Sequence, residues 1–222
     1  MHREDRNSHS GADEGAPSGL APLPVLWRGV TTARRRVTFG DEEAILAAEA
    51  PSFARCALSV RRQSGAARRS VRSLLSPLGY GDWPLPRRLG VAPEWPRGLV
   101  GSMSHCDDFA IAALANAASF DGLGVDIEPA RPLPAEIHEI VATAKERREV
   151  RLDLVHGRIL FCAKEATYKA VHPIDGRFLE MRDIEVDLAA KSAVTSYGRR
   201  VTLAFHVDET IVVLALVGAA DV

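Results

Sequence analysis

A chain of 222 residues with 28 basic and 29 acidic side chains has a formal charge of -1, so no general attraction to nucleic acid is expected and any basic site must be local. Hydrophobic residues at 46% and charged ones at 26% are ordinary for a soluble globular protein, and the length suits one compact domain or two fused halves of roughly 100 residues. No apolar run reaches the roughly 18 residues of a membrane span, the N-terminus lacks the apolar core of a signal peptide, and Cys56, Cys106 and Cys162 form no CxxC pair. The expectation is a cytoplasmic protein without a disulfide framework or zinc site, binding neither membrane nor nucleic acid.

In chain order, residues 1–24 are rich in Gly, Ala, Ser, Pro and charge without hydrophobic periodicity, which predicts a disordered leader. Val25 to Val30 opens a strand, and Asp41, Glu42 and Glu43 stand as first-turn acids ahead of Ala44, Ile45 and Leu46. A helix follows from about Ser59 to Leu78, stopped by Gly79. Gly79 to Gly98 is punctuated by proline and glycine and reads as an irregular, ligand-wrapping loop. Leu99–His105, Phe109–Asn116 and Gly122–Ile127 read as strands, Pro134–Arg151 and Gly157–Val171 as helices. Ile184–Leu188, Arg200–Val207 and Thr210–Val217 read as strands, the last two joined by a hairpin at Asp208-Glu209. The order strand, helices, strands occurs twice and predicts two α+β halves, residues 25–118 and 119–222, meeting near residues 117–121.

Chemistry concentrates in a few places. In GVDIE, a strand's period of two puts Asp126 and Glu128 on one face with Ile127 toward the core, and two acids on one face invite a cation. In FCAKEATYK, Glu165 and Lys169 share a helical face at i, i+4, the spacing of a surface ion pair, but Phe161, Ala163, Ala166 and Tyr168 around them point to partial burial. If strand and helix meet, Asp126, Glu128 and Glu165 could hold Mg²⁺ with positions left for phosphate oxygens, beside lysines that oppose phosphoryl charge. In WPRGLVGSMSH, small residues admit a ligand to the backbone while Ser104 and His105 can donate to a phosphate. Arg61, Arg62, Arg68, Arg69 and Arg72 occupy a stretch without an acid, and Arg68 and Arg72 at i, i+4 repel unless an anion lies between them.

Taken in order, WPRGLVGSMSH, GVDIEPARPLP and ILFCAKEATYKAVHP resemble the Sfp-type 4'-phosphopantetheinyl transferases, most closely the branch of the enterobactin-synthesis enzyme and its actinobacterial relatives, over about residues 40–205. The resemblance implies the α+β (α/β) fold of that family, a pseudo-twofold pair of similar subdomains with coenzyme A and Mg²⁺ at their junction. It implies Asp126, Glu128 and Glu165 as metal ligands and Glu165 also as base toward a carrier serine. Lys169 would steady the transferring phosphate, Lys164 would contact the coenzyme phosphates, and Ser104 and His105 would grip the end bearing the 3'-phosphate. Arg68, Arg72 and Arg87 or Arg88 would be basic partners of the coenzyme. The partners implied are acyl or peptidyl carrier proteins of fatty-acid, polyketide, nonribosomal-peptide or siderophore systems, served by a monomer. Phe161 stands where many members carry tryptophan, and the stretch before Arg68 matches less well than the rest.

Two other functions use the same residues. Acid-x-acid with a Glu and a Lys also serves Mg²⁺-dependent nucleases and other phosphoryl-transfer enzymes, although a nuclease needs positive charge along a backbone track. A coenzyme- or carrier-binding module without chemistry would not need the full acid set.

Overall fold

The computed structural model describes residues 23–86, 92–149 and 154–218. The expected leader, apart from Leu23 and Pro24, lies outside the described residues, as do Arg87 and Arg88.

The first strand, β1, is Val30–Arg36, and α1 spans Leu58–Leu75. The strands β2 (Leu99–His105), β3 (Phe109–Asn116) and β4 (Gly122–Pro129) follow. The helices α2 (Ala135–Val141), α3 (Glu146–Glu149) and α4 (Leu154–Asp175) precede β5 (Ile184–Asp187), β6 (Ser192–Thr195), β7 (Arg200–Val207) and β8 (Thr210–Val217). The strands form two antiparallel sheets, β1-β3-β2 and β4-β8-β7-β6-β5. This is the expected mixture of helix and sheet.

Alternation along the central strands stacks the layers. Ala110, Ala112 and Leu114 of β3 pack toward α1, while Phe109, Ile111, Ala113 and Ala115 join Leu123, Val125 and Ile127 of β4 and Val212, Leu214 and Leu216 of β8 in one apolar layer. The other face of β8, with Ile211, Val213, Ala215 and Val217, packs with Ala163, Ala166 and Ala170 of α4. Helix, sheet, sheet and helix therefore lie in succession, and β3 and β8, covered on both faces, are apolar almost throughout.

Glycine at two positions of β4 brings α4 against this edge strand. A Cβ on Gly124 would stand 1.9 Å from the Ala166 carbonyl oxygen, and one on Gly122 would stand 2.3 Å from that of Ala170. Asp126 and Glu128 continue the same face of β4 and so emerge beside the side chains of α4.

Three sequence expectations shift. β1 begins at Val30, not Val25, because its polar TTARRR run pairs along the edge of β3 and its arginines find remote acids. The acids at residues 41–43 form a 3-10 turn packed on α1, where a Cβ on Gly65 would come within 1.9 Å of the Asp41 carbonyl oxygen. The helix expected over residues 134–151 breaks at Ala142, and α3 starts anew with a capping box: the Thr143 N–H donates to Glu146 Oε2 at 2.7 Å and the Glu146 N–H to Thr143 Oγ1 at 3.2 Å.

Candidate active site between the two sheets

A cleft of 610 Å³ opens where β2, β4, α1 and α4 meet, with Ser104, His105, Asp126, Glu128, Glu165 and Lys169 among its lining residues. Arg68 and Phe161 also reach it. Strand β4 and helix α4 thus bring the two sequence motifs together as expected.

Lys169 Nζ donates to Asp126 Oδ1 at 2.6 Å and to Ser104 Oγ at 2.8 Å, and Ser104 Oγ in turn donates to Asp126 Oδ1 at 2.6 Å. Asp126 is buried, and its Oδ2 has no hydrogen-bond donor among the described residues. Burial alone would lower the Lys169 ammonium, but Asp126 and Glu165 outweigh it and hold the pKa above the ordinary lysine range. Glu128 accepts a hydrogen bond from Arg158 Nη1 at 2.6 Å, while Arg158 Nε and Nη2 bind the Arg131 and Pro132 carbonyls at 2.8 and 3.0 Å. Removal from water raises the carboxyls of both Glu128 and Glu165. The charge of Asp126 adds to this, opposed at Glu128 chiefly by Arg158 and at Glu165 by Lys169. Arg158 was not among the sequence candidates, although it precedes Glu165 by seven residues on one helical face, a spacing that could have revealed it.

The expected three-acid metal cluster is not assembled as such. Among the described residues no three carboxylate, imidazole or thiol side chains converge closely enough to hold a metal ion. Asp126 turns one oxygen to Lys169, and Glu128 turns one to Arg158. The donor chemistry nevertheless fits a hard cation: Asp126 Oδ2 is buried without a donor among the described residues, and the Glu128 and Glu165 carboxylates line the same cleft.

Two coenzyme assignments do not agree with the geometry. Lys164 is wholly buried on another side of α4, its ammonium held by the Val141 carbonyl at 2.8 Å, Glu146 Oε2 at 2.7 Å and the Met181 carbonyl at 2.9 Å, so it does not reach the cleft. Arg72 also lies outside it, donating to Glu49 Oε1 and Oε2 at 2.7 and 2.8 Å and to the Ala44 carbonyl. Arg68 lines the cleft but is itself buried, 3.4 Å from Glu49 Oε2, stacked on Phe53 and bonded to the Ser64 and Leu85 carbonyls. The anion expected between Arg68 and Arg72 is therefore the protein's own Glu49, fully buried and also accepting the Leu46 and Leu85 N–H groups. Arg69 and Arg62 pair likewise with Asp41 and Glu42. Sequence spacing missed these pairs because each acid precedes its arginine by 19 residues or more.

The fold and the cleft define an α+β protein with a charged site, three carboxylates beside a lysine and an arginine, at the seam of two sheets. Residues 48–115 match the 4'-phosphopantetheinyl transferase N-terminal domain, and residues 122–214 match the 4'-phosphopantetheinyl transferase superfamily. The chain is 38% identical over 129 residues to the 4'-phosphopantetheinyl transferase Npt of Nocardia iowensis, covering 57% of this chain and 58% of that protein. It is 39% identical over 145 residues to Svp of Streptomyces mobaraensis (62% and 58%) and 34% identical over 180 residues to PptT of Mycobacterium tuberculosis (79% and 69%), both also named as 4'-phosphopantetheinyl transferases. The chain belongs to the 4'-phosphopantetheinyl transferase superfamily. The matched stretches span 58% of the length of the first two relatives.

Proposed function

We propose that this protein transfers the 4'-phosphopantetheine group of coenzyme A to a serine of an acyl or peptidyl carrier protein, releasing 3',5'-ADP. The observation that carries this reading is the junction of the two sequence motifs: Asp126 and Glu128 on β4 meet Glu165 and Lys169 on α4 in a cleft that Arg68 and His105 also line. The two family matches, before residue 116 and after residue 121, fall on either side of the expected meeting point of two subdomains.

In this reading the serine hydroxyl attacks the β-phosphorus of the coenzyme pyrophosphate, a new P–O bond forms, and the bond to the 3',5'-ADP oxygen breaks. Glu165 receives the serine proton: partial burial raises its carboxyl, which strengthens it as a base once ionised. Lys169, kept cationic by Asp126, faces the transferring phosphoryl group, and Asp126 with Ser104 fixes the direction of its ammonium. Arg68 and His105 provide positive or donating groups for the coenzyme phosphates, with Glu49 holding Arg68 in place. Asp126 through Oδ2, Glu128 and Glu165 would hold Mg²⁺, which when bound neutralises charge on the pyrophosphate. Holding both partners in line supplies the remainder of the acceleration.

Mass spectrometry of an apo-carrier incubated with this protein, coenzyme A and Mg²⁺ tests the reading. The expected result is a gain of one phosphopantetheine group on the carrier serine. An unmodified carrier, across acyl and peptidyl types, would overturn it.

A further inference from the structure

Glu165 lines two clefts, the one described above and a second of 640 Å³. One wall of the second is Ile140 near the end of α2, the other is the segment from Phe178 to Ile184, and Tyr168 lies between. Lys164, wholly buried, also lines this cleft, and its three ammonium protons go to the Val141 carbonyl next to Ile140 of the first wall, the Met181 carbonyl in the second, and Glu146. Glu146 is buried as well: its Oε1 accepts the Val186 N–H at 2.8 Å, and its Oε2 caps α3. Arg182 ties the same walls from the surface through the Glu139 carbonyl at 3.0 Å. Turning Lys164 toward a phosphate in the first cleft would leave Glu146 and two carbonyls buried without their donor.

We propose that Lys164 is a positioning residue: it fixes the separation of the second cleft's walls beside Glu165 and acts on transfer through that cleft, without touching the coenzyme phosphates. This rests on the transferase reading above. The distinguishing ligand is 3',5'-ADP, which carries the nucleotide phosphates but neither the pantetheine arm nor the carrier.

Lys164→Met removes the charge and keeps the length of the side chain, and Arg182→Ala removes the outer tie at an exposed site. Hydrogen exchange without ligand, calorimetry with 3',5'-ADP and single-turnover mass spectrometry of the carrier give three readouts. The expected result for Lys164→Met is faster exchange over residues 137–143 and 178–186, 3',5'-ADP affinity within about twofold of the parent, and transfer reduced by about tenfold or more. Arg182→Ala should act in the same directions, severalfold on transfer. A loss of 3',5'-ADP affinity as large as the loss of transfer would make Lys164 a phosphate ligand and overturn the proposal. Unchanged exchange or unchanged transfer would overturn it too. If Lys164→Met fails to fold, Arg182→Ala decides by the same criteria. Failure of the parent itself to modify any carrier would count against the transferase reading, while the exchange data would still judge the tie between the walls.

Discussion

Asp126 is where the charges of the cleft converge, one oxygen held by Lys169 and Ser104 and the other without a donor among the described residues. Asp126→Ala is expected to reduce carrier modification by more than about a hundredfold, since Lys169 loses the group that orients it. The same change should lower stability by about 2–3 kcal/mol, less than the full cost of a stranded buried charge because 27% of the Lys169 side chain is exposed. Transfer assays and urea denaturation check the two parts separately. Glu165 behaves differently, since burial makes its carboxyl hold a proton more tightly in the folded chain than in the unfolded one. That favours the fold below the ordinary glutamate pKa of about 4.3, and the advantage is lost as pH rises through the raised value. In chelator at pH 7, Glu165→Gln should therefore be more stable than the parent, with the gain disappearing below about pH 4. With Mg²⁺, the same variant should keep coenzyme affinity within severalfold by calorimetry but transfer about a hundredfold more slowly. The identity of these residues was legible in the sequence, because period two along a strand and i, i+4 along a helix place them. The direction of their oxygens was not, since Arg158 fixes Glu128 from 30 residues away and Lys169 fixes Asp126 from 43 residues away.

Helices α1 and α4 were both legible as elements, yet what brings each to its place lies outside its own hydrophobic pattern. The approach of α4 to β4 depends on Gly122 and Gly124 in the partner strand. Gly124→Ala would place a methyl group 1.9 Å from the Ala166 carbonyl oxygen, with backbone and not a pliant side chain opposite. The expected outcome is a loss of about 3 kcal/mol or more, with transfer impaired even where the fold survives, because Glu165 and Lys169 move with the helix. Thermal melting and the carrier assay on the same preparation would show both effects. For α1, the arginine row read as an anion-binding face, and it is one, but Glu49 supplies the anion for Arg68 and Arg72. Glu49→Ala should cost about 3–5 kcal/mol, the penalty for leaving buried cations without their partner. Arg72→Ala should destabilise the protein while weakening coenzyme A and its 3'-dephospho form equally, whereas Arg68→Ala should discriminate between them. Calorimetry with both ligands separates the two arginines. Spacing within α1 could not have done so, because the two residues share one helical face and differ only in where Glu49 and the cleft lie.

Across the whole molecule, the two sheets share an apolar layer, and an ion-pair clamp joins the edge strand of one to the hairpin of the other. Arg34 of β1 grips Asp208 with both terminal nitrogens, at 2.8 and 2.7 Å, and adds Thr210 Oγ1 at 2.6 Å, while Arg36 reaches Glu209 at 2.7 Å. The Asp208-Glu209 turn was visible as a hairpin, but its partners 173 and 174 residues earlier were not, because no local pattern encodes a contact across the chain. The Arg34 guanidinium, almost fully buried, holds the Asp208 carboxyl far below the ordinary range, helped by the Thr210 N–H. A carboxyl depressed on folding contributes stability that is complete above its unfolded pKa of about 3.9 and is lost as pH falls from there toward the folded value. Asp208→Asn should therefore be less stable than the parent at pH 7, by about 1–3 kcal/mol given that Asp208 is partly exposed. The difference should narrow progressively below pH 4, where the parent's own carboxyl begins to take up its proton. Urea midpoints for the two proteins at pH 7, 5 and 3 test this, and a gap that stays constant across the series would mean that shape and hydrogen bonding at residue 208 matter while the charge does not.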